Sequence, residues 1–270
     1  MARTVADAVA VFDAVSGYDD GDAFSVSATM AHPPASYSNE LDKRGLAGAR
    51  IGLVTNALDG DDDPASAAVN ALTRRAVEDL RAGGAEVVEV EIPRLREFLV
   101  ETSQYIACSR HDIDLYLQQR PAVKHLRVAD IVADGKYHPN LDLLEAVVEG
   151  PEDPVSDPDY TQRFVAREEF TRTILNVMAQ HQLDALTYPV TRIPAPSLVG
   201  RKDWTVLTFP TNTLIASQAL LPSITVPAGF TDDGVPVGIE LVTRPYDELT
   251  GFQLAAGYEK QSNHRRAPEL

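Results

Sequence analysis

The sequence has 270 residues, 40 of them acidic against 24 Lys and Arg, a net charge of −16, 44% apolar residues and a single cysteine. A chain of this size hides roughly three quarters of its unfolded surface on folding, so disorder is excluded and one large domain or two small ones fit the length. The charge repels phosphate and no run of Lys or Arg offsets it, which argues against nucleic acid as a partner.

Cys108 alone cannot close an intrachain disulfide, and there is neither a signal peptide nor an apolar run of about 18 residues. The expectation is a cytoplasmic chain without membrane contact. The acids are mostly Asp, and Lys is scarce. That texture reads as a solvated surface, or as one suited to high salt, where screening lowers self-repulsion.

Thr4, with Asp7 three residues on and apolar Val5, Ala8, Val9, Phe12 and Val15, predicts a capped amphipathic helix at the start of the chain. Residues 15–48 are polar and lack element-length periodicity, and read as a long solvated connection. Arg50 to Thr55 is a strand candidate. Asp63-Pro64 then supplies an N-cap and first-turn pair for a helix with Val69, Leu72, Ala76 and Leu80 on one face, stopped by Gly83-Gly84. Glu86 to Ile92 alternates as a second strand, so this stretch predicts a βαβ unit with parallel pairing.

Residues 94–182 read as mainly helical, with breaks at Pro121, at 135–139 and at 150–154. Phe164, Phe170, Ile174, Val177 and Met178 mark one long helix in that region. A short strand follows from Asp184 to Tyr188. The Pro-rich segment 189–211 holds the only Trp and reads as an irregular loop of the kind that carries sites. Ser223 to Val226 and Val237 to Thr243 flank Asp233-Gly234, a hairpin signal. Asp247 then caps a last helix with Leu249, Phe252 and Ala256 inward.

No catalytic or metal constellation emerges from these residues. The six His show no i, i+4 pair, Cys108 and His111 form only an isolated Cys-x-x-His, and no phosphate-binding glycine pattern is present, so neither a metal nor a cofactor is expected. Ser103, Ser109, His111, Asp112 and Asp114 share one helical stretch, which cannot supply triad geometry by itself. There is no Gly-Ser and no Ser-Ser dipeptide.

Three stretches together resemble the amidase signature family. They are Met1-Ala2-Arg3-Thr4-Val5-Ala6-Asp7-Ala8; Leu183-Asp184-Ala185-Leu186-Thr187-Tyr188-Pro189-Val190-Thr191; and the run from Asn212 through Pro222-Ser223-Ile224-Thr225-Val226-Pro227-Ala228-Gly229-Phe230 to Gly234-Val235-Pro236-Val237-Gly238 and Arg244-Pro245-Tyr246-Asp247-Glu248. The resemblance implies an α/β fold, a mixed β-sheet flanked by helical layers, with residues 1–270 forming the C-terminal part of a single amidase-like domain. It also implies a Ser nucleophile, a bridging Ser held by a cis peptide and a Lys base, all preceding the position that Met1 occupies. None of Lys43, Lys124, Lys136, Lys202 or Lys260 lies in a family-like motif, so no catalytic residue is carried onto this chain.

Met1 coincides with an internal Met of the family motif, and the expectation is a chain shortened relative to the family. The resemblance implies that segment 189–211 lines the acyl or amine pocket, with Thr191 polar and Trp204 and Phe209 apolar. Simple core packing is the alternative for the two aromatics. Three functions follow: the C-terminal segment of a carboxamide C–N hydrolase, inert alone and accepting a small-molecule amide once completed by an N-terminal half; a non-catalytic partner-binding module or pseudoenzyme; or the amidase-like subunit of a tRNA-dependent amidotransferase. Strands such as Ile51 to Thr55 and Ser223 to Val226 are expected to present uncovered faces or edges, through which the isolated chain self-associates.

Overall fold

Thr4 opens helix α1 (Val5–Val15) by accepting the Asp7 amide on its hydroxyl, the usual N-cap arrangement. The computed structural model describes residues 1–141 and 143–267, the side chains of Arg201 and Lys202 excepted. Val5 and Val9 of α1 are buried, whereas Val15 is exposed.

The connection after α1 is less solvated than its composition implies. It holds a 3₁₀ turn at Ala23–Thr29 and the short helix α2 (Tyr37–Glu40), and it buries Tyr37, Leu41 and Leu46. Asp13 accepts the Ser36 and Ser38 hydroxyls and the Tyr37 and Ser38 amides. These donors, the Ser38 hydroxyl foremost, hold its carboxyl down at about 2. Contacts spanning more than twenty residues leave no local periodicity, which is why the sequence reads as bare loop here.

Strand β1 (Arg50–Val54), helix α3 (Pro64–Ala82) and strand β2 (Glu86–Val90) form the predicted unit. The strands pair in parallel from Arg50↔Glu86 to Val54↔Val90. Asp63 accepts the Ser66 amide at 2.9 Å and Pro64 follows it, so the start of α3 uses the cap read from the sequence. Val69, Ala76 and Leu80 are fully buried along its inner face.

The helical stretch resolves into α4 (Leu95–Glu101), α5 (Tyr105–Gln118), α6 (Val128–Asp134), α7 (Leu144–Glu149) and α8 (Tyr160–Gln180). After it come β3 (Ala185–Pro189), α9 (Leu214–Gln218), β4 (Ser223–Phe230), β5 (Pro236–Val242) and α10 (Glu248–Ser262). Gly234 closes the β4–β5 turn at φ +86°, donating its amide to the Thr231 carbonyl, a backbone conformation that favours glycine. Asp247 stands at the N-cap of α10, but its side chain makes no cap bond; its carbonyl accepts the Thr243 hydroxyl instead.

Contacts divide the chain into two units, Met1–Leu95 with Thr171–Ala195 and Pro210–Leu270, and Arg96–Phe170 with Pro196–Phe209. The first holds a five-stranded mixed sheet in the order β2-β1-β3-β5-β4. β1 lies inside that sheet, because β3 returns from the helical excursion to pair with it through Ile51↔Ala185 and Leu53↔Thr187. The expected open edge at Ile51 to Thr55 is therefore corrected; the edges are β2 and β4.

One face of the sheet packs Ile51, Leu53, Ile239 and Leu241 with Val69 and Leu80 of α3 and Leu254 of α10. On the other face Gly52 leaves room for two leucines, since a Cβ there would come within 2.6 Å of Leu183 and 2.9 Å of Leu186. The second unit holds most of α4, all of α5 to α7 and the first half of α8 with the connections between them, and the loop tip 196–209. Phe98 and Phe170 stack there at 5.0 Å, and Arg110 donates to the Val148 and Gly150 carbonyls while pairing with Glu152.

Candidate functional site

In an open sheet with parallel strands, ligands settle where the chain reverses its direction of travel across the strands, beyond their carboxyl ends. Here the chain goes from β1 outward to β2 and then returns to the far side of β1 as β3, so the reversal lies between β1 and β3. The segment after β3 emerges at that point, and its polar residues hold its base in place.

Asn212 is fully buried and its Nδ2 donates at 2.8 Å both to the Ala57 carbonyl, just past β1, and to the Pro189 carbonyl at the end of β3. Its amide donates to the Val190 carbonyl, and the Arg192 amide to the Pro210 carbonyl, which sets Thr191 opposite Thr211 in a short antiparallel bridge. Arg192 Nη1 reaches both carboxylate oxygens of Asp59, at 2.7 and 2.9 Å.

A cleft of about 390 Å³ opens beside this point, lined by Thr55, Leu58, Asp59, Asp61, Asn70 and Arg74 among others. Hydrogen bonds from Asn70 and Arg74 hold the Asp61 carboxyl below the usual carboxylate range.

Thr191 is tied into this base, its hydroxyl donating to the Ile193 carbonyl at 2.7 Å. Trp204 and Phe209 belong to the second unit, where they meet edge to face at 5.9 Å. Trp204 is 36% exposed and Phe209 half-buried, so the indole is not enclosed in a core. Leu198, Val199, Val206 and Leu207 of the same loop tip are exposed as well.

His111 pairs with the adjacent Asp112 at 3.0 Å on the surface of α5, and its neighbour Ser109 on the same helix does not complete a triad with them. Lys43, Lys136 and Lys260 each pair with an acidic side chain, and the side chain of Lys202 lies outside the described residues. Among the described residues no group of three or more His, Cys, Asp or Glu could hold a metal ion, and no helix is long and apolar enough to cross a membrane.

The sequence reading missed two buried groups. One is Asn212, which opens the third family-like stretch but whose bonds join residues far apart in the chain. The other is Glu240, 3% exposed between Ile239 and Leu241 on β5, opposite Tyr188 of β3 and Thr225 of β4. Burial pushes its carboxyl up, against an opposing effect of the Ser223 hydroxyl, and its Oε2 has no hydrogen-bond partner. A lone acid in an otherwise apolar strand was the available signal.

For an acid raised in the folded state, the native chain binds more protons than the unfolded one above the ordinary Glu value of 4.5. Its contribution to stability is therefore full below that pH and is lost as pH rises toward the raised value. Glu240→Gln is expected to flatten this decline, read as a smaller fall in melting temperature between pH 4 and pH 8 than in the parent. An unchanged slope would exclude Glu240 as its source.

The model of the amidase family matches residues 1–250. The chain belongs to the amidase family. A glutamyl-tRNA(Gln) amidotransferase subunit from Myxococcus xanthus (strain DK1622) is 28% identical over 288 residues, covering 99% of this chain and 56% of that protein. The native peptide amidase from Stenotrophomonas maltophilia is 30% identical with a TM-score of 0.74, covering 100% of this chain and 54% of its own. An amidase family protein from Bacillus anthracis str. Ames shares the fold at TM-score 0.75 and 23% identity, over 49% of its length.

The chain thus spans about half the length of the relatives it matches. The α/β fold implied by the resemblance, a mixed sheet with helices, is the one found, and it corresponds to the C-terminal portion of the amidase fold.

Proposed function

We propose that this chain is the C-terminal segment of an amidase-type hydrolase that cleaves carboxamide C–N bonds, inactive alone because nucleophile and base lie in an upstream half. The observation that carries the reading is the family match over 250 residues together with coverage of only about half of each relative. Residues 1–270 then act as part of one amidase-like domain. The base around Asn212 fixes the segment that carries Thr191, and Trp204 and Phe209 offer apolar surface to the acyl or amine side of a small-molecule amide.

A second reading, as part of a tRNA-dependent amidotransferase, is favoured by the name of the Myxococcus xanthus relative, while the net charge of −16 disfavours tRNA contact by this segment.

The purified chain is expected to hydrolyse a simple aryl amide no faster than buffer, since binding without an activated nucleophile supplies little rate. Turnover that co-purifies with the chain, and that changes when Thr191 or Asn212 is substituted, would overturn the reading.

A further inference from the structure

Helix α1, the connection after it and the start of α10 surround a cavity of about 580 Å³, and its described lining belongs wholly to the first unit. The cavity is remote from the Asn212 base. β3 and β5 are antiparallel, from Leu186↔Val242 to Pro189↔Ile239. The chain therefore leaves β5 toward Tyr246 and Glu248 beside the start of β3, whereas Asn212 binds the end of β3.

The rings of Phe12, Tyr37 and Phe252 pack edge to face at 5.1 to 5.5 Å, which holds Tyr37 between α1 and α10. Asp13 of α1 accepts four bonds from Ser36, Tyr37 and Ser38, so the connection is tied to the helix and the carboxyl stays ionised. Tyr18 and Tyr246 bring two further rings to the lining, and Pro33 and Pro34 bring apolar surface. No Lys, Arg or His is among the described residues that line it.

Two polar groups of the lining are unused. Tyr37 is only 7% exposed, and its hydroxyl makes no hydrogen bond among the described residues. The half-buried carboxylate of Glu248 has neither a hydrogen bond nor an ion pair among them. Burial pushes the Tyr37 hydroxyl above its ordinary range, and the charges of Glu248 and Asp13 push it the same way, so the cavity carries uncompensated negative charge. Negative charge beside aromatic rings attracts a cation, and the rings and prolines suit hydrocarbon. A bare metal ion is a poor occupant, because no group of three or more His, Cys, Asp or Glu among the described residues could hold one.

We propose that this cavity binds a small organic ammonium ion, with its nitrogen at Glu248 and the Tyr37 hydroxyl and its hydrocarbon part against Tyr18, Tyr246 and Pro34. The ammonium donates to the Glu248 carboxylate and to the Tyr37 oxygen, which supplies both with the partner they lack. Asp13, whose oxygens already accept four bonds, adds charge rather than a further bond.

Titration of 2-phenylethylammonium chloride into the isotopically labelled full chain, followed by amide chemical shifts, tests the proposal. The amides of Tyr18, Tyr37 and Tyr246 should move together along one saturable curve, and those of Arg192 and Asn212 should not move. 2-Phenylethanol, which has the ring without the charge, should bind about tenfold more weakly or worse. Ammonium chloride, which has the charge without the ring, should not saturate these shifts. Glu248→Gln should bring the affinity for the ammonium down to that for the alcohol and leave the alcohol unchanged. Tyr246→Ala, at an exposed side chain, should weaken both ligands.

Equal affinity for the ammonium and the alcohol, or shifts that never saturate, would overturn the proposal. So would binding that Glu248→Gln leaves intact. Asp232→Asn removes an exposed acid of the β4–β5 turn outside the cavity lining and should change nothing. A loss equal to that of Glu248→Gln would assign the binding to the net charge of −16 and overturn the proposal as well. The shifts read binding and not turnover, so neither result bears on the hydrolase reading.

Discussion

Asn212→Ala is expected to lower the unfolding free energy by about 2–4 kcal/mol. The substitution strips the Ala57 and Pro189 carbonyls of donors at 2.8 Å in a fully buried position. A buried group left unsatisfied costs about 1–3 kcal/mol, and removing the amide oxygen of Asn212, which itself lacks a partner, offsets part of the sum. The loss falls at the carboxyl ends of β1 and β3, so the segment carrying Thr191 should loosen before the sheet does. Urea unfolding measures the total, and faster amide exchange at Arg192 and Asn212 locates it. A change below about 0.5 kcal/mol, typical of a surface substitution, would mean that water or a backbone shift replaces both bonds.

Phe98→Ala should cost about 3–5 kcal/mol, the range for truncating a buried aromatic without collapse of the cavity. Phe98 is 1% exposed and Phe170, stacked on it at 5.0 Å, is fully buried. Both belong to the helical unit, whose other buried apolar residues are the smaller Ala107, Val128, Val147 and Pro154. Phe98→Leu, which retains most of the volume, should recover more than half of the loss in the same urea titration. An equal loss for Leu and Ala would point to ring stacking over volume as the source.

The elements were legible in the sequence wherever local chemistry decides them. Asp63-Pro64 set the start of α3, Asp233-Gly234 set the β4–β5 turn, and alternation over Glu86 to Ile92 marked β2, which ends two residues earlier at Val90. What the sequence could not show was the outcome of long-range pairing. β1 was expected to carry an open edge, yet β3 closes it from more than a hundred residues away. Tyr37, Leu41 and Leu46 sit in a polar stretch, and their burial depends on partners such as Asp13 and Phe252 outside it.

The candidate site divides in the same way. The family-like stretches cover the start of the segment after β3, where Thr191 stands opposite Thr211. Asn212 and Glu240 act through residues that only folding brings near them, so neither stood out as more than one polar residue among others.

The claim that this chain holds no activated nucleophile is tested most directly by treating it with a fluorophosphonate, which bonds covalently to serines whose hydroxyl a neighbouring base has activated. Intact-mass measurement should find the chain unmodified, at the same level as a heat-denatured control. A single stoichiometric adduct on any serine of the folded chain, absent from that control, would contradict the account and place the catalytic centre within these 270 residues.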